Sequence, residues 1–314
     1  MNILAIDIGG TNSRFARFTL EDGRLTMGEA IWLSTDGAST FAGILENLEA
    51  SEFPLALEDA DAAVIGVPGP VQERVYSDPP NTPWDIDLRK TPITPGRTAM
   101  INDFVAQSYA TRTDAVEGGL VIQAGQAEKE RSIAIIGAGT GLGHGALVPT
   151  AHGWVAVPSE GGHMAFPFQG DQERELEKFV LRKTGHPFCQ VETLVTGSGL
   201  ALIHEFLTGK ILTPREVAET LTPGSLTLSW FARFYGRVTR QWAVATISLG
   251  GVFVTGGVAA KNPSLVTAPE FLAEFQEHPC FSEILSNIPI VLNANEDSGL
   301  WGAAYHGKQL LERR

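Results

Sequence analysis

The chain has 314 residues, a length that allows one large domain or two of ordinary size, and we favour two. Apolar residues make up 43% of the sequence and charged residues 19%, which excludes intrinsic disorder and allows a sizeable core. No apolar run approaches the roughly 18 residues that a membrane-spanning helix needs. The formal net charge of −13 makes nucleic acid and acidic membranes poor partners, because such a surface repels phosphate groups.

The cysteines and the N-terminus both bear on the cellular compartment. Cys189 and Cys280 lie far apart and belong to no CxxC pattern, which excludes a disulfide framework and a structural zinc site. We therefore expect a cytoplasmic, reducing location. Residues 1–7 reach the acid Asp7 without a preceding basic segment, so we expect a strand there and no signal peptide.

Strand-like segments rich in β-branched residues and bounded by glycine recur along the chain. The predicted strands are 3–8, 13–19, 30–33, 62–67, 98–101, 133–136, 144–149, 251–255 and 290–293. The predicted helices are 40–50, 171–183, 226–248 and 298–311, most of them with a one-sided apolar stripe. Strands with hairpins, then a helix, then strands occur twice in this order, which predicts an α/β protein with mixed sheets.

Two glycine-rich segments resemble each other and suggest two related halves. Asp7-Ile8-Gly9-Gly10-Thr11 aligns with Ile136-Gly137-Ala138-Gly139-Thr140, and each segment follows an apolar strand. The alternative is a chance likeness, since Gly-Thr turns after strands are common. No low-complexity linker separates the halves, so we expect a hinge at the boundary.

The glycine turns do not match the common nucleotide-binding motifs. Residues 137–143 do not fit the GxGxxG dinucleotide fingerprint, and neither Gly-Lys pair is followed by the Ser or Thr of a Walker A loop. Three turns after strands remain: a first turn (Gly9, Gly10, Thr11, Asn12), a second turn (Gly139, Thr140, Gly141) and a third turn (Gly256, Gly257).

Backbone N–H groups in such turns can point at phosphate oxygens without obstruction by a Cβ atom. Each turn alone fits an ordinary tight turn. The three together, one of them preceded by an acid, Asp7, placed to meet Mg²⁺, predict ATP binding by neutral backbone amides.

Two further segments carry polar side chains suited to catalysis or sugar binding. Asn102 and Asp103 end an apolar strand, where Asp103 could be a general base or, alternatively, the N-cap of a following helix. Glu160 and His163 flank two glycines and suit charge-assisted hydrogen bonds to sugar hydroxyls. The alternative for that segment is a surface loop, and Glu192 alone carries no functional signal.

Taken together, these motifs resemble those of the bacterial glucokinase family, in that family's order and spacing, from residue 3 to about residue 305. The matching segments are residues 7–12, 101–104, 137–143, 160–163 and 250–257. Ser159 departs from the Gly that is usual there, and residues 67–71 are closer to the related ROK sugar kinases. The zinc segment and DNA-binding extension of that group have no counterpart in this sequence.

The resemblance implies a two-domain actin-like (ribonuclease H-like) sugar kinase fold of class α/β, with an interdomain cleft. It implies a small domain of residues 1–108 plus 298–314, a large domain of residues 109–297, and packing of helix 298–311 on the small domain. It implies that Asp103 is the general base. It also implies that the sugar is bound by Asn102, Asp103, Glu160, His163 and Glu192. The ATP-binding residues would be Asp7, Gly9, Gly10, Thr11, Asn12, Gly139, Thr140, Gly256 and Gly257, with Asp7 on the Mg²⁺ side.

The predicted activity is ATP-dependent phosphorylation of D-glucose to glucose 6-phosphate in the cytoplasm. One alternative is a kinase for another hexose or an N-acetylhexosamine, which would use the same residues. A second is a non-catalytic sugar sensor or actin-like assembly protein, which would have no need of the base Asp103. We expect a small-molecule substrate, no nucleic-acid or membrane partner, and a homodimer.

Overall fold

The computed structural model describes residues 1–91, 93–94 and 96–312. The chain divides into two compact units, here called unit 1 (Met1–Glu117 with Asn295–Arg314) and unit 2 (Gly118–Ala294). These boundaries lie beyond residue 108 and before residue 298, the positions that the resemblance implied. Residues 115 and 295 both belong to unit 1, and a hydrogen bond joins them: the Asn295 side chain donates to the carbonyl oxygen of Ala115 at 3.1 Å.

Both units contain strands and helices. The strands are β1 (Asn2–Ile8), β2 (Asn12–Glu21), β3 (Arg24–Ser34), β4 (Ala62–Val67), β5 (Tyr76–Ser77), β6 (Ile86–Asp87), β7 (Thr98–Asn102), β8 (Leu120–Gln123), β9 (Ile133–Ala138), β10 (Leu142–Thr150), β11 (Gly153–Ser159), β12 (Val252–Thr255) and β13 (Ile290–Leu292). The α-helices are α1 (Phe41–Ala50), α2 (Asp103–Ala110), α3 (Gly170–Thr184), α4 (Val191–Leu194), α5 (Gly197–Thr208), α6 (Pro214–Thr220), α7 (Leu226–Thr246), α8 (Gly257–Lys261), α9 (Ser264–Thr267), α10 (Pro269–Gln276), α11 (Ser282–Asn287) and α12 (Ser298–Glu312). Short 3-10 helices occur at Thr35–Gly37, Leu88–Lys90, Asp114–Val116 and Gly161–His163.

A five-stranded sheet in the order β3-β2-β1-β4-β7 forms the centre of unit 1. β1 is antiparallel to β2 and parallel to β4, and β4 is parallel to β7. β4 is buried along its whole length, which explains why its sequence is continuously apolar. α12 packs on α2, β1 and β4, and Tyr109 stacks on His306 with 5.1 Å between ring centroids. The predicted packing of the C-terminal helix on the N-terminal part is therefore confirmed.

A six-stranded sheet in the order β11-β10-β9-β12-β13-β8 forms the centre of unit 2. β9 is antiparallel to β10 and parallel to β12. The 21-residue helix α7 buries Trp230, Phe231 and Phe234 in the core of this unit. The helix ends two residues before the predicted position, because Ile247 adopts a left-handed conformation with φ of 45°.

Five strands of each sheet share one topology, which supports the prediction of two related halves. The first hairpin strand lies between its partner hairpin strands on one side and two parallel strands on the other, and the sheet of unit 2 has one further edge strand, β8, antiparallel to β13. The hairpin ladders end at the pairs Ile8–Ser13 and Ala138–Leu142. The second turn is therefore one residue shorter than the first. In the parallel ladders Asp7 pairs with Gly66 and Ile136 pairs with Val254, each one residue before the end of the neighbouring strand, so the predicted alignment of Asp7 with Ile136 agrees with the parallel pairing.

Seven helices of unit 2, α4–α6 and α8–α11, were not predicted, and among the strands those at the sheet edges differ most from the prediction. β3 begins at Arg24 rather than at residue 30, and β11 was not predicted at all. Both lie at the edge of a sheet and alternate exposed with partly buried residues, so neither forms a continuous apolar run. Within the described part of the chain, no helix combines the length and the apolar composition needed to cross a membrane.

Candidate active site

The first turn closes the β1–β2 hairpin of unit 1. The Gly9 N–H donates to the carbonyl oxygen of Asn12 at 3.0 Å, and the Thr35 hydroxyl donates to the carbonyl oxygen of Gly9 at 2.7 Å. A Cβ atom on Gly10 would lie 2.9 Å from the carbonyl oxygen of Asn81. The turn is therefore held from one side, while Thr11 and Asn12 are exposed. The support from Thr35 and Asn81 was not predicted, because both residues are distant in sequence.

Asp7 lies at the end of β1, half-buried, immediately before the first turn. Its strand neighbours are Arg14 on β2 and Gly66 on β4. A Cβ atom on Gly299, at the start of α12, would lie 3.1 Å from Asp7 Oδ2. Burial raises the pKa of the Asp7 carboxyl, Arg14 opposes this rise, and the Asp297 carboxylate adds to it.

The surroundings of Asp7 fit Mg²⁺ that arrives with a nucleotide. Among the described residues, no three His, Cys, Asp or Glu side chains are grouped so that they could hold a metal ion. A complete protein cage is not needed, because Mg²⁺ usually binds one or two carboxylates together with water and phosphate oxygens. A nearby cation would favour the charged form of Asp7, which burial and Asp297 both disfavour.

Asn102 and Asp103 lie at the junction of β7 and α2 in unit 1. Asn102 is the N-cap of α2: its Oδ1 accepts from the N–H groups of Phe104 at 2.9 Å and Val105 at 3.2 Å. Its Nδ2 donates to the carbonyl oxygen of Gly69 at 3.0 Å, within the ROK-like segment. Asp103 is the first residue of the helix, so the alternative that Asp103 is the N-cap is wrong. Asp103 Oδ1 also accepts from the Phe104 N–H, at 2.9 Å.

Glu160, His163 and Glu192 lie together in unit 2 and are here called the Glu-His-Glu cluster. His163 Nε2 is 3.7 Å from Glu160 Oε2, and His163 Nδ1 is 3.3 Å from Glu192 Oε1. The side chains of Glu160 and His163 are about half exposed, at 57% and 53%, and that of Glu192 is 27% exposed. The cluster thus offers two carboxylates and an imidazole that a polar ligand can reach.

The two glycines between Glu160 and His163 have a packing role. A Cβ atom on Gly161 would lie 3.0 Å from the ring of His144, and one on Gly162 would lie 2.3 Å from the carbonyl oxygen of Leu142. Both contacts are with β10, so only glycine lets the 3-10 helix that carries His163 lie flat on the sheet. Burial lowers the pKa of His144 to about 4, which keeps this supporting imidazole neutral at pH 7.

The second turn and the third turn approach each other beside a cavity in unit 2. The cavity has a volume of about 880 Å³, and its lining includes Gly139, Thr140 and Gly257. This volume suits a nucleotide-sized ligand. Gly256 has φ of 89° and turns against Ala138, because a Cβ atom there would lie 2.4 Å from the Ala138 carbonyl oxygen. Gly256 therefore supports the turn, whereas Gly257 lines the cavity.

The cavity also contains residues that the sequence did not indicate. They come from α5, α6 and α8: Gly197, Ser198, Leu200, Pro214, Arg215, Ala218, Glu219, Val258, Lys261 and Asn262. α5 is tied to the second turn, because the Gly197 N–H donates to the carbonyl oxygen of Gly139 at 3.3 Å. The sequence signal for the start of α5 was Gly-Ser-Gly at residues 197–199, which matches neither the GxGxxG fingerprint nor a Walker A loop.

Comparisons with known proteins agree with this architecture. A family model described as glucokinase matches residues 4–310. A glucokinase of Photorhabdus laumondii subsp. laumondii is 29% identical over 324 residues, covering 98% of this chain and 97% of the relative. The crystal structure of a glucokinase from an Antarctic psychrotroph has a TM-score of 0.81 and 25% identity, and the match covers 97% of this chain and 98% of that chain.

A more distant structure shares the fold. A ROK family glucokinase from Streptomyces griseus, solved in complex with glucose and AMPPNP, has a TM-score of 0.57 and 19% identity, with coverage of 98% of this chain and 100% of that chain. The predicted actin-like sugar kinase fold is therefore confirmed.

Proposed function

The chain belongs to the glucokinase family and is an ATP-dependent hexokinase-type phosphotransferase, and from this premise we propose that it phosphorylates D-glucose at the 6-hydroxyl. The observation that carries the proposal is the Glu-His-Glu cluster. Its two carboxylates, each within 4 Å of the imidazole, present with that imidazole more hydrogen-bonding groups than one hydroxyl needs. Such a cluster suits a ligand with several adjacent hydroxyls.

Asp103 is proposed as the general base. Its carboxylate would accept the proton of the 6-hydroxyl as that oxygen attacks the γ-phosphorus in line and the bond from the γ-phosphorus to the bridging oxygen of ADP breaks. The rigid junction supports this role, because Asn102 caps α2 and Asp103 Oδ1 accepts from the helix backbone. A carboxylate that is already held in one orientation needs little reordering before it accepts the proton.

Sugar recognition is proposed for Asn102, Asp103, Glu160, His163 and Glu192. Asn102 Oδ1 already accepts two backbone hydrogen bonds, and one Nδ2 hydrogen is directed at Gly69. The second hydrogen on Nδ2 is the group that Asn102 would offer to a sugar oxygen. Glu160 and Glu192 would accept from hydroxyls, and His163 would bridge the two carboxylates.

Nucleotide binding is proposed for the three glycine turns and for Asp7. Backbone N–H groups of the first and second turns would donate to phosphoryl oxygens, which lets a chain of net charge −13 bind a polyanion without a cluster of cations. The 880 Å³ cavity beside Gly139 and Gly257 would receive the nucleoside. Asp7 would hold Mg²⁺ through water, and the bound ion would neutralise charge on the β- and γ-phosphoryl oxygens.

A homodimer and a cytoplasmic location complete the proposal. Both cysteines are free thiols in the described part of the chain, and Cys280 is exposed. An exposed free thiol suits a reducing compartment. Sedimentation velocity of the purified chain would test the dimer.

ADP release, coupled to a reporter enzyme and measured with a panel of sugars, tests the substrate. We expect kcat/KM for glucose to exceed the values for mannose, 2-deoxyglucose and N-acetylmannosamine, because a polar group that the bound sugar covers and leaves unpaired costs about 1–3 kcal/mol. Faster turnover of N-acetylmannosamine or fructose would leave the mechanism intact and overturn the substrate. Binding of sugars without any phosphoryl transfer would favour the sugar-sensor alternative.

A further inference from the structure

We propose that Glu192 couples the Glu-His-Glu cluster to the second turn, so that glucose binding and nucleotide binding strengthen each other through one carboxylate. The inference deepens the proposed function, on which it rests for the identity of the two ligands. Its structural basis lies entirely within unit 2. It assigns to Glu192 a positioning role toward the phosphate-binding backbone, in addition to its contact with the sugar.

The two carboxylate oxygens of Glu192 face different parts of the site. Oε1 is 3.3 Å from His163 Nδ1. Oε2 accepts a hydrogen bond from the N–H of Leu142 at 3.4 Å, and it would lie 3.1 Å from a Cβ atom on Gly141. One rigid planar group therefore touches both the sugar cluster and the end of the second turn.

The backbone around Glu192 reinforces this arrangement. The Glu192 carbonyl oxygen accepts from the Thr196 hydroxyl at 2.8 Å, and the Glu192 Cβ atom would be 3.5 Å from a Cβ atom on Gly162. Five residues after Glu192, the chain contacts the start of the second turn, where the Gly197 N–H donates to the Gly139 carbonyl oxygen at 3.3 Å. Residues 192–197 thus contact both ends of the second turn.

His163 has an alternative partner that frees Glu192 for a ligand. Gln190 Oε1 lies 3.3 Å from His163 Nδ1, the same distance as Glu192 Oε1. The hydrogen bond of His163 Nδ1 is thus with Gln190, and the imidazole can keep it when Glu192 Oε1 turns to a ligand. A sugar hydroxyl that donates to Oε1 would then fix the carboxylate plane, and with it the distance from Oε2 to the Leu142 N–H.

The physical consequence is a linkage between two ligands. A sugar that orders Glu192 also orders the turn that receives phosphoryl oxygens, so the second ligand meets a site that is already arranged. Thermodynamic linkage requires the converse effect to have the same size. Since the two contacts share one side chain, removal of its charge should reduce the coupling in both directions.

A matched pair of glycine variants tests the contact. Gly141→Ala places a methyl group 3.1 Å from Glu192 Oε2, whereas Gly139→Ala places one 4.0 Å from its nearest neighbour, the Gly141 carbonyl oxygen. Glucose affinity is measured by isothermal titration without nucleotide. We expect Gly141→Ala to raise the Kd for glucose on the order of 5-fold, although residue 141 belongs to the phosphate turn. Gly139→Ala should keep the wild-type Kd for glucose, and an equal response of the two variants would overturn the inference.

The reciprocal measurement uses Glu192→Gln and Glu160→Gln. For each protein the Kd of a non-hydrolysable ATP analogue with Mg²⁺ is measured with and without saturating glucose. We expect the ratio of the two Kd values to fall toward 1 in Glu192→Gln. The ratio should remain at the wild-type value in Glu160→Gln, because the ion-pair contact of Glu160 is with His163 and not with the second turn. This measurement also tests the coupling role of Glu192 if Gly141→Ala fails to fold.

The two proposals fail in different ways. If the wild-type chain does not phosphorylate glucose, the proposed substrate is wrong. If it phosphorylates glucose but its ratio of Kd values is already 1, or if Glu192→Gln keeps the wild-type ratio, the coupling role of Glu192 is wrong while the activity stands.

Discussion

The first and second turns occupy the same position in two sheets of the same topology, yet each obtains its carboxylate differently. In unit 1 the acid belongs to the hairpin itself, since Asp7 precedes the turn on β1. In unit 2 the strand before the turn, β9, contains no acid, and the acid near the turn is Glu192, which comes from α4.

This difference shows how one backbone design can be given two roles. A carboxylate within the strand lies beside Arg14 and Asp297 and suits a cation. A carboxylate supplied by a separate helix can reach away from the turn to His163 and suits a polar substrate. The topology provides a glycine turn in each unit, and the neighbouring side chains decide what else each turn contacts.

The largest expected effect is on the catalytic side of unit 1. Asp103→Asn keeps the shape of the side chain and removes the proton acceptor, so kcat should fall by about 10²–10⁴. The Kd for glucose should change less, because an amide still hydrogen-bonds a hydroxyl. Steady-state kinetics with isothermal titration separates the two. Asp59→Asn, at an exposed turn of the same unit, should retain wild-type kinetics, and near-normal kcat in Asp103→Asn would refute the role of the base.

The next effect tests the assignment of Asp7 to the metal side. Asp7→Ala should lower turnover by about 10- to 100-fold and raise the Mg²⁺ concentration needed for half-maximal activity. Its Kd for glucose should stay near the wild-type value. Activity as a function of Mg²⁺, together with glucose titration, is the measurement. Loss of glucose binding with an unchanged Mg²⁺ requirement would contradict the contrast between the two turns.

A pair of valine substitutions sharpens the difference between support and ligand contact. In Gly10→Val the new Cβ atom would lie 2.9 Å from the Asn81 carbonyl oxygen, so we expect a loss of about 1–3 kcal/mol in the free energy of unfolding, along with weaker nucleotide binding. In Gly257→Val no atom of the described residues lies within 4 Å of the Cβ position.

Gly257→Val should therefore keep wild-type stability while weakening binding of an ATP analogue, because its side chain would enter the cavity. Urea unfolding and isothermal titration of both variants check this. Wild-type nucleotide affinity in Gly257→Val would exclude the cavity as the nucleoside site.

The smallest expected effect is a pH dependence confined to unit 2. The pKa of His144 is lowered by burial to about 4, from an ordinary value of 6.5, so the unfolded chain takes up the proton first as pH falls. Stability present above pH 6.5 is therefore lost on acidification, by about 1 kcal/mol between pH 7 and 5.5. His144→Leu should lack this loss in urea unfolding experiments. His152→Leu, at an exposed position, should keep the wild-type pH dependence; if it behaves like His144→Leu, another group is responsible.

Much of the architecture was predictable because it depends on local patterns. Central strands such as β4 and β9 are buried throughout, so their apolar runs stand out in the sequence. The edge strands β3 and β11 were shortened or missed, because a half-exposed strand carries no such run. The grouping of Glu160 with His163 was also predictable, since they are three residues apart in one short helical turn.

The sequence by itself determined the fold class, the central strands and the glycine turns, because strand burial and turn conformation depend on residues that are neighbours in the chain. It did not determine that Asn102 rather than Asp103 caps α2, that Thr35 and Asn81 hold the first turn, or that Glu192 faces both His163 and Leu142. The capping contacts of Asn102 are local, whereas the other relations depend on contacts between residues 26 to 71 positions apart. Only the tertiary structure decides them, because a side chain's partners are set by how the elements pack and not by the periodicity of its own segment.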